Sequence, residues 1–151
     1  MSLSLVERLA AAKAAKDMGA LVDVIPYAKW LGLSGKIEDG ALITTMTFAP
    51  HLVGNPALPA LHGGTLGALM ESAAVFELLY RAESIVLPKT ITITVDYLRS
   101  AATVDTYALG TITRHGRRVA NVSVVAWQED RAKPVATAVA HFLVMAEQQG
   151  A

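Results

Sequence analysis

The residues best suited to chemistry stand together in Asn55-Pro56-Ala57-Leu58-Pro59-Ala60-Leu61-His62-Gly63-Gly64, followed by Glu71. His-Gly-Gly falls where a Pro-rich loop meets an apolar segment of helical length. Such a junction exposes backbone N–H groups at the positive end of a helix. Glycine lets a ligand oxygen approach those donors closely, which suits a carbonyl oxygen that gains negative charge as a nucleophile adds to its carbon. Glu71 is the first carboxylate of the segment, at its ninth residue, and a carboxylate on a buried face is costly unless it is paired or working. Gly64 and Glu71 share a helix face to within about 20° but lie about 10 Å apart along the axis. A glutamate side chain reaches about half that distance. If both groups act on one carbonyl, the partner helix of a two-fold dimer supplies the second, and the site sits at a subunit interface.

The elements that must hold these residues follow from periodicity. Ser4 to Met18 is Ala-rich with interspersed charges and reads as a helix stopped by Gly19. Ile25 to Gly35, with Pro26, Gly32 and Gly35, reads as a turn or short helix. Lys36 to Pro50 holds the strand-like run Ala41–Ala49, and His51 to Leu61, with Gly54, Pro56 and Pro59, is a loop. Gly63 to Ser84 is apolar on every face, the pattern of a helix buried nearly all round. After Pro88 the period becomes two: Thr90, Thr92, Thr94 and Asp96 alternate with Ile91, Ile93, Val95 and Tyr97. Three further β runs follow, Thr103–His115, Arg118–Glu129 and Pro134–Met145, with breaks short enough for antiparallel hairpins. The expectation is an α+β domain: a strand, one long buried helix, then a four-strand antiparallel meander, in a sheet of five or so strands wrapped on the helix.

Composition narrows the function. The chain has 151 residues, which suits one domain over 1–151, with an N-terminal helix at about 4–18 and a core at about 24–145. Lys plus Arg and Asp plus Glu are 13 each, so a net charge of 0 gives no field to gather nucleic acid or an anionic membrane. With no cysteine, disulfides, Cys-ligated zinc and thiol nucleophiles are excluded. The N-terminal stretch mixes Glu7, Arg8, Lys13 and Lys16 into its apolar residues, unlike a signal peptide, and no run approaches the roughly 18 apolar residues of a membrane span, so a cytoplasmic location is expected. Apolar residues are 53% and charged ones 17%, against roughly 45–50% and 25% in ordinary domains, an excess that points to subunit interfaces. Joining sheets edge to edge would absorb it and cover the edges.

His62-Gly63-Gly64 with a carboxylate nine residues after the His resembles the signature of hotdog-fold acyl-CoA thioesterases, nearest the phenylacetate-pathway and 4-hydroxybenzoyl-CoA thioesterase type. Thr90-Ile91-Thr92-Ile93-Thr94-Val95-Asp96-Tyr97-Leu98-Arg99 is similar to that family's strand after the helix, Gly116-Arg117-Arg118 to its next hairpin and Ala136-Thr137-Ala138 to its last strand. The resemblance, from about Val24 to Met145, implies a hotdog fold and hydrolysis of an acyl- or aroyl-CoA. The Gly63 N–H would polarise the thioester carbonyl, Glu71 would serve as nucleophile or as general base on water, and His62 would shape the oxyanion end or orient Asn55. Thr90 falls where some relatives carry a hydroxyl that positions the attacking water. The family's Asn usually stands six residues before the His; Asn55 stands seven before. The acid is Glu, as in the 4-hydroxybenzoyl type, where phenylacetate-type relatives mostly carry Asp.

The resemblance also implies a homodimer, often a dimer of dimers, with CoA entering as substrate and no separate cofactor. CoA phosphates call for Arg partners, so Arg99 with Ser100, and Arg117 with Arg118, are expected contacts, and Gly64 and Ser72 join the substrate site. Ala68, Ala73 and Ala74 would leave room for the acyl group. Glu77 and Glu83 read as solvated or ion-paired near Arg81, and His51, His115 and His141 as structural. No metal is expected, for want of a ligand cluster. The competing functions are an acyl-CoA-binding module without turnover and a hotdog enoyl-thioester hydratase or dehydratase.

Overall fold

The computed structural model describes residues 2–82 and 86–145; Glu83 and Ser84, where the long helix was expected to end, lie outside them. Three short helices come first: α1 (Leu5–Ala14), α2 (Met18–Asp23) and α3 (Pro26–Trp30). Strands β1 (Leu33–Glu38) and β2 (Ala41–Met46) follow, then a 3-10 turn (Pro50–Leu52) and a minor hairpin of β3 (Val53–Asn55) and β4 (Ala60–Leu61). The long helix α4 spans Gly63–Arg81, and β5 (Lys89–Tyr97), β6 (Thr106–His115), β7 (Val119–Trp127) and β8 (Ala136–Leu143) follow it.

The main sheet has six antiparallel strands in the order β1-β2-β6-β7-β8-β5. The expected four-strand meander is therefore corrected: β6, β7 and β8 are a meander, but β5 pairs with β8 at the far edge, and β6 pairs with β2. A residue count of the connection after Tyr97 could not reveal this, because the chain crosses the sheet's end there instead of turning back.

Two N-terminal expectations also change. Gly19 does not stop a helix. Lys16 takes a left-handed conformation (φ 52°), and the Asp17 carboxylate accepts from the Ala20 N–H to cap a second helix that contains Gly19. The short helix expected within residues 25–35 is α3, but strand β1 begins inside that segment, at Leu33. It is set by a tight turn at Asp39 and Gly40, both at positive φ (50° and 78°), which registers Glu38 against Ala41.

Helix α4 lies across one face of the sheet. Its residues Leu66, Leu69, Met70 and Phe76 are buried against a face rich in small side chains, including Ala108, Ala120, Ala126, Ala138 and Ala140. A Cβ at Gly67 would stand 3.8 Å from the Tyr97 hydroxyl and 4.0 Å from Val95, on β5. One at Gly110, on β6, would meet the Ala73 carbonyl and Glu77 Cβ at 3.4 Å. The helix thus travels from edge strand β5 to β6, three strand spacings or about 14 Å away. Burial is not all round: Gly67, Ala68, Glu71, Ser72 and Val75 recur at helical spacing and are only half-buried.

Candidate functional site

His62 is the N-cap of α4. Its Nδ1 accepts from the Gly64 N–H (2.8 Å), and its carbonyl accepts from both the Thr65 N–H (2.9 Å) and the Thr65 hydroxyl (2.6 Å). The His62 N–H in turn donates to Leu52 O (2.8 Å), which locks the entry to the helix. The Gly63 N–H, the first of the helix, has no acceptor among the described residues. It is the donor left over for a ligand, at the end of the helix where the dipole favours negative charge. The glycines do more than admit a ligand. A Cβ at Gly63 would meet the Tyr97 ring at 3.2 Å, and one at Gly64 would meet His62 Nδ1 at 2.9 Å. Tyr97 also donates its hydroxyl to Gly63 O (2.8 Å). Sequence reasoning missed Tyr97, which reads as one more member of an alternating strand.

Two turns along, Glu71 lies half-buried on the open stripe, and its carboxylate has no hydrogen-bond or ion-pair partner among the described residues. Ser72 stands beside it. The buried carboxylate of this helix is Glu77 instead, 6% exposed, which accepts from Arg81 Nε at 2.8 Å. It is ion-paired as expected but not solvated, and it holds the Arg81 guanidinium above its ordinary range, chiefly through that hydrogen bond. Ala73 and Ala74 are sealed in the core, so of the three alanines expected to make room for an acyl group only Ala68 borders open space.

A β-bulge redirects Thr90. Thr90 pairs with Phe142 and Thr92 with His141, leaving Ile91 as the extra residue. Phe142 belongs to the buried face of β8, so Thr90 turns onto the face of the sheet that carries α4, whereas strict alternation would send it away. It nevertheless lies seven residues from Tyr97, about 23 Å along the strand, so one chain does not bring Thr90 to its own Gly63. Asn55 sits on the minor hairpin, with Oδ1 accepting from the Ala57 N–H (3.0 Å), which leaves its carboxamide nitrogen for other partners.

The expected phosphate contacts occupy two places. Arg99 and Ser100 line a cleft of about 250 Å³ with Lys133, Gln128 and the acidic Glu129 and Asp130. Arg117 and Arg118 line another of about 310 Å³ with Arg114 and Asn121. They lie at opposite ends of β7, about 25–30 Å apart, so within one chain the two pairs cannot grip one phosphate group. His51 is structural, its Nε2 3.0 Å from Trp30 O and its ring tilted against Trp30. Among the described residues no group of three His, Cys, Asp or Glu side chains is placed to hold a metal ion, and no helix is long and apolar enough to cross a membrane.

With this geometry in hand, residues 54–143 match the family described as the acyl-CoA thioesterase N-terminal domain, a span that includes the His-Gly-Gly turn, α4 and strands β5 to β8. The chain is 40% identical to a protein of known crystal structure from Chromobacterium violaceum, over 94% of this chain and 99% of that one, with a TM-score of 0.75. It is 25% identical to a phenylacetic acid degradation-related protein from Ralstonia eutropha JMP134, over 86% and 98% of the two chains (TM-score 0.74). A Bacillus halodurans protein crystallised with CoA shares the fold at 18% identity, over 95% and 90% of the chains (TM-score 0.69). No curated protein matches.

Proposed function

The chain belongs to the acyl-CoA thioesterase family of hotdog domains, and from that premise we propose that it hydrolyses an acyl- or aroyl-CoA to the free acid and CoA. The observation that carries this reading is the unclaimed Gly63 N–H at the positive end of α4, with the unpaired Glu71 carboxylate on the half-open stripe of the same helix. The thioester oxygen accepts from Gly63, and its growing charge is stabilised by a donor already oriented toward it. Glu71 takes a proton from water as hydroxide adds to the carbonyl carbon, or attacks that carbon itself to form an anhydride that water then hydrolyses. Collapse of the tetrahedral intermediate expels the CoA thiolate, which takes up the proton. The complex of the Bacillus halodurans protein with CoA supports CoA as the carrier, and the clefts at Arg99 and at Arg117–Arg118 are the phosphate contacts we assign.

Edge strand β5 supports assembly as a dimer. Its outer side has no strand partner among the described residues, and Ile91 and Tyr97 are 53% and 55% exposed. Antiparallel pairing of β5 with its copy about residues 93 and 94 would set Thr90 of a second copy opposite Tyr97. Thr90 of the second copy would then stand at the Gly63 end of α4, and a site shared between two chains would also meet the offset of about 10 Å between Gly64 and Glu71 if both act on one carbonyl. The free outer face of the sheet, where Val139 is 49% exposed, is left for a dimer of dimers.

The test is release of free CoA thiol from short, medium, long and aromatic acyl-CoAs by wild type and Glu71→Ala, with oligomer size followed by light scattering. We expect turnover by the wild type and a loss of at least about 10²-fold in the variant with assembly intact. Full activity in the variant would overturn the role of Glu71. Ligand-induced stabilisation without thiol release would indicate a binding module, and loss of enoyl-thioester absorbance without thiol release would indicate hydration.

A further inference from the structure

We propose that the hydroxyls of Thr65 and Tyr97 are positioning groups that hold the Gly63 N–H in the orientation in which it receives the oxyanion. The inference rests on the thioesterase reading above, and it concerns two residues that touch no reacting atom. The donor faces a physical difficulty: it lies at the first of two consecutive glycines, whose backbones have the widest conformational freedom of any residue. An oxyanion donor is effective only when its direction is fixed before reaction. The structure braces both peptide units that meet at Gly63. On the preceding unit, the Thr65 hydroxyl donates to His62 O at 2.6 Å, beside the Thr65 N–H at 2.9 Å. On the following unit, the Tyr97 hydroxyl donates to Gly63 O at 2.8 Å while the Gly64 N–H is held by His62 Nδ1 at 2.8 Å.

Three consequences follow. The carbonyl that accepts from Thr65 belongs to the same peptide unit as the Gly63 N–H, so each bond accepted there polarises the donor toward a ligand. The brace comes from two directions: Thr65 is 8% exposed inside the first turn of α4, whereas Tyr97 reaches in from edge strand β5. The pairing also favours glycine at position 63, because a Cβ there would stand 3.2 Å from the Tyr97 ring that delivers the hydroxyl, and the ring would have to give way.

The experiment compares Thr65→Val, Thr65→Ser, Tyr97→Phe and the double variant Thr65→Val/Tyr97→Phe as full-length chains. Each of the two hydroxyl deletions should lower kcat about tenfold and leave KM within about twofold, and the double variant should approach the roughly 10²-fold loss of a deleted oxyanion donor. Thr65→Ser restores the hydroxyl and should restore kcat. In ligand-free protein, nitrogen-15 relaxation of the Gly63 and Gly64 amides should report greater mobility in the deletion variants and not in Thr65→Ser. Wild-type kcat in both deletions, or unchanged mobility of both amides, overturns the proposal. So does a kcat loss shared by Thr65→Ser. If the wild type turns over no thioester, the hydrolase reading fails on its own, and the amide mobility still decides whether the hydroxyls brace the donor.

Discussion

Helix α4 carries two glutamates six residues apart, and they have opposite surroundings. Glu71 lies on a half-open stripe with no partner among the described residues. Glu77, about 240° further round the axis, is 6% exposed and bound to Arg81, which also donates to Gly40 O at 2.8 Å and so ties the end of the helix to the β1–β2 turn. The second oxygen of Glu77 is buried without a partner among the described residues. The difference separates two reasons for placing a charge on an apolar helix. A buried carboxylate committed to one cation, which in turn holds the β1–β2 turn, does the work of docking. A half-buried carboxylate on the open stripe of the helix, with no partner among the described residues, is available for chemistry.

The sharpest way to break this contrast is to remove each charge with an isosteric amide. Glu71→Gln should lose at least about 10²-fold in kcat, about 2.7 kcal/mol of transition-state stabilisation, while its urea midpoint stays with the wild type. Glu77→Gln should behave the other way, with kcat within about threefold but stability lower by about 1–3 kcal/mol, because the amide weakens the bond to Arg81 and brings buried N–H groups of its own. Urea unfolding and thiol release on the same preparations read both. Should Glu77→Gln abolish turnover while the chain stays folded, the assignment of the two roles is reversed.

A smaller effect tests whether the open stripe receives the acyl group. Gly67 lies on it, and a Cβ there would find only ordinary contacts, the nearest at 3.8 Å. Alanine at this helical position should raise stability by about 0.5–1 kcal/mol. If the stripe lines the acyl site, Gly67→Ala should also move the preference toward smaller acyl groups in the thiol-release panel. A stabilised variant with an unchanged substrate profile would place the acyl group elsewhere.

What was legible in the sequence, and what was not, follows from the range of the interactions involved. His62-Gly63-Gly64 announces its N-cap because capping is local. Strands β5 to β8 announce themselves through alternation, and the gap between β6 and β7 through the turn at Gly116. Strand β1 is obscured in the sequence by Gly35, which reads as part of a turn or short helix, although Asp39-Gly40 is a strong hairpin signal that identifies the strand. The second helix escaped because Gly19 outweighed Asp17, whose capping role was equally local. The rest had no local signal. That β5 lies beside β8 depends on pairing across the whole sheet, that Thr90 faces the helix depends on a bulge opposite Phe142, and that Tyr97 grips Gly63 depends on a contact 34 residues apart. The cost of burial, which the sequence assigns to Glu71, belongs in the structure to Glu77, 6% exposed, while Glu71 is half-buried.

A third glutamate extends the comparison to full exposure, where the smallest effect is expected. Glu7 accepts from the Ser4 N–H at 2.7 Å while its own N–H donates to Ser4 Oγ at 3.3 Å, a reciprocal cap on α1. The bond from the Ser4 backbone, then that from its side chain, holds the Glu7 carboxyl below its usual value of 4.5. A depressed value in the folded state means that the cap stabilises α1 above about pH 4.5 and weakens as the pH falls through the lower folded value. Solvent screens this exposed site, so the effect should stay confined to the first turn. Cα chemical shifts of Leu5–Ala14 should therefore show fraying of α1 on acidification before the sheet unfolds, and Glu7→Gln should remove that pH dependence while leaving kcat at wild type. A pH dependence of α1 that persists in Glu7→Gln would mean that a different group titrates there. Ranked by burial, the three glutamates then separate by observable: fold stability for Glu77, turnover for Glu71, and the end of one surface helix for Glu7.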